Sequence, residues 1–345
     1  PTNYAELHCH TNYSFKDGAS HIPELLMQAK KLKLYALAIT DHDNLCGAML
    51  FAQTAKSLGI KPIIGVELTL ASGHHITLLS ENLTGYRNIC QLVTIAHIES
   101  KDRLKPNIAS NEIFKHTKGV ICLSGCRSSE IAESVDEGNN SGAMEIAKRY
   151  TKWFGRNNYF IELQQNLVQG DTARNQALNQ ISKSVGIGVV ATGNAHYHLQ
   201  ERAQLNDALV AIRHNSSLEE SERKRRINDQ FYLRSPEEAK AFFNSNVLGI
   251  YPDAISNTIH IAQRCTLNLS SDKIYSFPKY QNLGKHHTEE AYLKDLCENA
   301  ATRKYGELNS VVKDRLREEF KLIQKYNLSG LLLQYYDIVR MAREV

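Results

Sequence analysis

Residues 36–68 read ALAITDHDNLCGAMLFAQTAKSLGIKPIIGVEL. Ala36 to Thr40 is a short apolar run of strand length, Leu45 to Leu58 spaces its apolar residues three and four apart as a helix does, and Ile63 to Leu70 is strand-like again. Strand, helix and strand in that order form a βα repeat, the unit of parallel sheets and barrels. Working outward, Leu7 to His10, Ile76 to Leu79, Val120 to Ser124, Tyr159 to Gln164 and Val189 to Thr192 also read as strands, which makes seven. Helical spacing recurs at 23–33, 85–98, 142–154 and 172–184. The expected fold is α/β, a parallel sheet or barrel.

Past residue 200 the strand signals fade, and helices are predicted at 201–212, 236–243, 252–265, 289–305, 310–326 and 330–343. The stretch 270–288, with Pro278, Gly284 and adjacent His286 and His287, reads as a linker. Two domains are therefore expected, 1–272 and a smaller helical segment 273–345. The run Arg223, Lys224, Arg225, Arg226 has the charge for phosphate, but a short run of this kind reads first as a solvated helix face.

With 42% hydrophobic and 23% charged residues, the 345-residue chain is composed as a globular protein and not as a disordered one. A net charge of +4 is too mild to mark a nucleic-acid binder. Seven cysteines, an odd number with no CxxC pair, argue against a secreted disulfide framework and for a reducing compartment, the cytoplasm. No signal peptide is read, and no stretch approaches the ~20 apolar residues of a membrane span. P-loop, nucleophile-elbow and dinucleotide-binding glycine motifs are all missing.

The chemistry collects around His8-Cys9-His10, since residues two apart on a strand face the same side and bring two imidazoles to one place. Other metal-capable residues stand at strand ends: Asp41 and His42, Glu67, His75, Cys126 and His196. In a βα barrel the loops after the strand C-termini meet on one face, so a single pocket can receive all of them. Imidazoles, carboxylates and one thiolate suit Zn²⁺, Mn²⁺ or Fe²⁺ better than Ca²⁺, and more than four candidates imply more than one ion. Clustered divalent ions suit phosphoester hydrolysis, where they activate water and stabilise the attacking and leaving oxygens. A thiol nucleophile at Cys126 is the lesser alternative.

The blocks ELHCHTNYSFKDGAS, AITDHDNLCGAMLFAQTAKSLGIKPIIGVELTL, HITLLSENLTGYRNI and GVICLSGCRSSEI follow in order the pattern of the polymerase and histidinol phosphatase (PHP) domain. The chain resembles that family, and more particularly the N-terminal part of family C, the bacterial DNA polymerase III alpha subunits. NDQFYLRSPEEAKAFF, PDAISNTIHIAQRC and the final LSGLLLQYYDIVRMAREV extend the resemblance toward the start of the palm. It implies a distorted seven-stranded (β/α) barrel, TIM-like, followed by a mostly helical segment, with two or three divalent ions in the barrel. It places metal ligands at His8, His10, Asp17, His42, Glu67, His75, Cys126, Asn194 and His196, with Glu67 bridging two ions, and Asp41 behind them orienting a ligand. The family has Asp where this chain has Asn194; Asn keeps an oxygen but not the charge, so one ion is expected to bind more weakly. His21, His74 and His198 match no ligand position and are expected at the rim or in packing.

The resemblance implies a metal-dependent phosphoesterase module, as a 3′–5′ exonuclease, within a polymerase. Its partners would be primer-template DNA, through the full-length enzyme, and other holoenzyme subunits, with no membrane. Two alternatives stand beside it: a degraded barrel that supports the polymerase and docks partner subunits, and a small-molecule phosphatase of the histidinol phosphate type. The palm's PDxDxD-like acids are not in the sequence, so this chain by itself is not expected to extend a primer. Replicative and error-prone forms are both consistent with the blocks.

Overall fold

The computed structural model describes residues 4–102, 104–269, 277 and 279–344. They divide into two compact units, 1–272 and 273–345. Most of the first half of the stretch read as a linker, 270–276 and 278, lies outside the described residues.

The first unit is built on six strands in sequential order: β1 Ala36–Ile39, β2 Lys61–Thr69, β3 His75–Ser80, β4 Val120–Leu123, β5 Tyr159–Gln164 and β6 Gly188–Thr192. The first two pair in parallel, as do the last three, but β3 runs antiparallel to both β2 and β4. Only a short turn separates β2 from β3, too few residues for the crossover that a parallel partner needs. Gly73, at φ +89°, makes that turn.

The expected first strand, Leu7 to His10, is not a regular strand but an extended segment held by two isolated parallel bridges, Glu6 to Leu37 and Cys9 to Ala195. On one side Ala38 N donates to Glu6 O at 2.8 Å and Thr40 N to Cys9 O at 2.9 Å. On the other, His10 N donates to Ala195 O at 2.8 Å and Ala195 N to His8 O at 3.0 Å. The segment thus joins β1 to the chain just past β6 and curls the sheet into a barrel. Its bonding is divided between two neighbours, so neither side forms a continuous ladder.

The core of the unit is apolar and sealed: Ala5, Leu7, Ala36, Ala38, Ile63, Leu79, Ile121, Leu123 and Val190 form one buried cluster with Ile261 and Ala262 of the helix Pro252–Arg264 and Cys265 just after it. The other helices of this unit include Ile22–Lys31, Ala48–Leu58, Leu83–Glu99, Asn140–Phe154 and Asp171–Val185. Three short elements escaped the sequence reading: helices Ser110–Phe114 and Glu130–Asp136, and a hairpin of Asn244–Ser245 with Gly249–Ile250. The helix predicted from Leu45 starts only at Ala48, because Asp43 and Asn44 do not cap it. Asp43 instead accepts from Thr69 N and Thr69 Oγ1, both at 2.7 Å, and Asn44 Oδ1 accepts from Cys46 N.

In the second unit the helices Glu289–Tyr305, Ser310–Tyr326 and Ser329–Glu344 pack around Leu293, Leu333 and Tyr280, with Phe320 and Ile323 beside them. Among the described residues no helix is long and apolar enough to cross a membrane. All seven cysteines are free thiols.

Candidate metal centre

Why these side chains meet follows from the strand directions. Asp41 and His42 follow β1, Cys126 follows β4, Asn194 and His196 follow β6, and Glu67 stands near the C-terminal end of β2. His75 opens β3, yet because β3 is reversed its first residue lies at the same rim, in register with Thr69. His8 and His10 flank Cys9 on the closing segment and face the same side. Gly125, at φ +97°, permits the loop before Cys126 to pass the His75 carbonyl; a Cβ there would sit 2.6 Å from that oxygen.

Glu67, 1% exposed, is the centre. Its Oε1 lies 3.3 Å from His8 Nε2 and 3.5 Å from His75 Nδ1, and its Oε2 lies 3.0 Å from His42 Nδ1 and 3.5 Å from His10 Nε2. Each carboxylate oxygen therefore faces two imidazoles. Cys126 Sγ is 3.5 Å from His75 Nδ1, and Asp17 Oδ2 is 3.1 Å from His42 Nε2 and 3.6 Å from His196 Nε2. Three sets of donor atoms are close enough to share an ion: His8, His10 and Glu67; His42, Glu67 and His75; His10, His42 and His196. An open cavity of about 610 Å³ leads to them, lined by Asp17, His42, Glu67, His75, Cys126, Asn194 and His196, while His8 and His10 lie fully buried at its floor. A larger cavity of about 980 Å³, between 197–207 and 222–229, contains none of the predicted ligands.

The electrostatics follow from burial and these neighbours. Burial opposes charge on Glu67, but His75, His42 and His8 outweigh it and hold the carboxyl well below its ordinary range. Burial opposes it on Asp17 too, and there Arg226 and His196 win. Burial, then His196 and His42, hold His10 well below the usual imidazole value; burial and then Arg226 bring His196 down to about 4. His8 and His75 go the other way: burial lowers them, but Glu162 and Glu67 raise the first, and Glu67 and then Cys126 raise the second to about 12. Burial and then Glu67 push the Cys126 thiol up.

Behind the centre, three acceptors fix how three imidazoles face it. Glu162, which sequence reasoning missed, meets His8 Nδ1. His196 Nδ1 donates to the Asn194 carbonyl at 2.8 Å. Ser14 Oγ gives its proton to Asp41 at 2.7 Å, so His10 Nδ1, 3.0 Å away, must donate to that oxygen. Asp41 does not reach the cavity; it also accepts from Thr11 N and Thr11 Oγ1. Each ring carries its proton on Nδ1 and turns Nε2 inward, the orientation a metal-binding histidine adopts. The signal for Glu162 was its charge inside the apolar strand YFIELQ.

Asn194 adopts φ 48°, and its buried Oδ1 has no hydrogen-bond partner. Of the peripheral histidines, His198 Nδ1 meets Ser20 Oγ, and His74 meets Ser72 and Glu133 away from the centre.

A histidine-rich centre around one glutamate, on the rim of a barrel closed by its own first segment, has a counterpart among known families: residues 6–166 match the PHP domain model. Residues 6–166 are a PHP domain. The PHP match contains every candidate from His8 to Cys126, together with Glu162, while Asn194 and His196 lie beyond its end. The chain is similar over 99% of its length to an error-prone DNA polymerase of Symbiobacterium thermophilum, at 34% identity, and to a DNA polymerase III subunit alpha of Treponema pallidum, at 32%. The alignments cover 32% and 30% of those relatives, so the chain spans about a third of their length. Among solved structures, a lesion-specific endonuclease of Pyrococcus furiosus overlaps 56% of this chain and 48% of its own, with 16% identity and a TM-score of 0.37.

Proposed function

We propose that the PHP barrel is a divalent-metal phosphoesterase module of a polymerase of the DNA polymerase III alpha type, hydrolysing phosphodiester bonds at a 3′ end. The observation that carries this reading is a set of buried atoms without hydrogen-bond partners, His8 Nε2, His10 Nε2 and Glu67 Oε1, facing one another at the cavity floor. Sealed polar atoms left unpaired are costly, and a cation among them satisfies all three. Glu67 would hold an ion with His8 and His10 and another with His42 and His75, and His10, His42 and His196 form a third set, with Cys126 beside His75 and Asp17 beside His42 and His196. Nitrogen and sulfur donors favour Zn²⁺, Mn²⁺ or Fe²⁺.

Bound there, such ions supply an activated water and stabilise charge on phosphate oxygens. The chain's residues do the rest. Glu162, Ser14 and the Asn194 carbonyl hold imidazole protons on the outer nitrogens, and the floor excludes water from Glu67. A third ion would rest on Asn194, whose oxygen is free but uncharged.

A second reading, a barrel kept as a scaffold for the polymerase and its partner subunits, draws on one observation. The Asp17 carboxylate already carries Arg226 at 2.9 Å and Arg213 at 3.5 Å, which compete with a cation for its charge. One experiment separates the two: metal count of the purified chain by plasma mass spectrometry, with degradation of 3′-labelled single-stranded DNA measured with added Mn²⁺ or Zn²⁺. Two or three ions with chelator-sensitive degradation support hydrolysis. Ions without degradation, or none, support the scaffold. We further propose that residues 273–345 lead toward the palm, and that the partners are primer-template DNA and other replication subunits in the cytoplasm.

A further inference from the structure

Phe15 is 69% exposed although it lines the same cavity as the candidate ligands, two residues from Asp17. The loop beneath it is tightly bonded: Ser14 N and Asp17 N donate to Thr11 O and Ser14 O at 2.9 and 3.0 Å, and Asn12 N donates to Ser20 O at 2.9 Å. The Tyr13 ring meets Phe15 edge-on at 6.4 Å. The ring is therefore displayed by a fixed loop, not left over from a loose one. Around the same cavity stand Arg127, Arg213, Lys224, Arg225 and Arg226, with Arg213 and Arg226 sharing Asp17 and Arg225 paired with Asp207, so three residues of the run read from the sequence as a solvated face border this cavity in a rim richer in cations than in carboxylates. Arg225 and Arg226 also border the larger cavity next to it, extending the rim beyond the centre.

A small phosphorylated metabolite calls for an enclosing, largely apolar pocket. An exposed aromatic face beside a line of cations is instead the arrangement that seats a single strand: the ring stacks a base, and the cations track the backbone. We propose that Phe15 is a base-stacking residue that seats the terminal nucleotide of a single nucleic-acid strand at the mouth of the cavity, with the phosphates following Arg213, Lys224 and Arg225. This rests on the phosphodiesterase reading above and names the residue that positions its substrate.

The test is fluorescence anisotropy of a labelled oligothymidylate binding the 345-residue chain, beside the same strand with abasic terminal nucleotides. Phe15→Ala should weaken binding of the intact strand about tenfold, while Phe15→Trp keeps it. The abasic strand should bind the unaltered chain about tenfold more weakly and lose nothing further on Phe15→Ala. Lys224→Ala should weaken both strands alike and reduce the salt slope by about one. Metal content, measured in parallel, should be unchanged in Phe15→Ala. A loss of equal size on both strands, no loss on either, or a metal-loaded chain indifferent to both strands overturns the proposal. A chain without metal that still shows the base-dependent loss overturns the hydrolytic reading and leaves Phe15 in place.

Discussion

The Glu162 carboxylate meets His8 Nδ1 at 2.6 Å with both side chains sealed from solvent. Glu162 Oε1 also accepts from Gln164 Nε2 and Thr192 Oγ1, so its place is fixed from two strands. A carboxylate can only accept, which pins the His8 proton on Nδ1 and leaves Nε2 toward Glu67. Glu162→Gln puts an amide donor within reach of that nitrogen and favours the opposite tautomer. Metal affinity should fall about 10- to 100-fold with little change in fold, measured by competition with a chromophoric chelator and by circular dichroism.

Ser14→Ala removes the hydroxyl that joins Asp41 to His10. It leaves a buried carboxylate short of a donor and the His10 Nδ1–H without its acceptor. Unfolding in urea should show a loss of about 1–3 kcal/mol, and metal should be retained more weakly. Ser14→Thr, which keeps the hydroxyl, should restore most of both.

Asn194→Asp supplies charge at a buried oxygen that has no partner. Metal occupancy at saturation should rise toward one further ion per chain, and in the ion-free chain the added carboxylate should cost stability. An unchanged metal count would remove Asn194 from the ligand set.

Metal uptake should strengthen as pH rises toward about 12, since an ion displaces the protons that Glu162 and Glu67 favour on His8 and that Glu67 and Cys126 favour on His75. The sign for the ion-free chain is opposite. The raised His75 value makes its charge stabilising, an effect present in full below its unfolded value near 6.5 and lost as pH rises through about 12. Isothermal titration in buffers of different ionisation enthalpy counts the protons released. Chelation of the loaded chain should lower Tm, by the equivalent of about 2.7 kcal/mol if free metal had stood at a hundred times Kd.

Gly18→Ala should be the most damaging small change near the centre. A Cβ there would fall 1.8 Å from the Thr11 carbonyl oxygen, and no side-chain rotation relieves a clash with backbone. The loop carrying Ser14, Phe15 and Asp17 would have to move. Destabilisation of about 2–3 kcal/mol together with loss of metal is expected, read by thermal unfolding and metal count.

The strands of the barrel were legible because buried strands are short apolar runs bounded by polar turns, and 36–39, 159–164 and 188–192 are of that kind. The reversal of β3 was not read, although the short SGH turn already excluded a parallel crossover. Two kinds of site residue escaped. Glu162 and Ser14 act through another side chain, so no spacing rule marks them. Lys224, Arg225 and Arg226 come to the cavity through the fold of 197–231, where the backbone bridge Tyr197 to Tyr232 and the bond from His196 N to Phe231 O bring a remote loop home. Local charge could not show that return. Asp41, placed behind the candidate ligands by the family resemblance, meets Ser14, which in turn meets His10.

The joining of 5–10 to both 36–40 and 193–195 has a consequence for how the protein is made. One edge of that segment finds its partner almost as soon as it leaves the ribosome, whereas the other waits for roughly 185 further residues, about ten to forty seconds at ordinary rates of translation. Through that interval the nascent chain carries an unpaired edge, and for most of it His8 has no Glu162 to face. Metal capture in its final geometry therefore belongs after release of the sixth strand, and slowing elongation between 40 and 190 should lengthen the window in which the edge is open to misassembly.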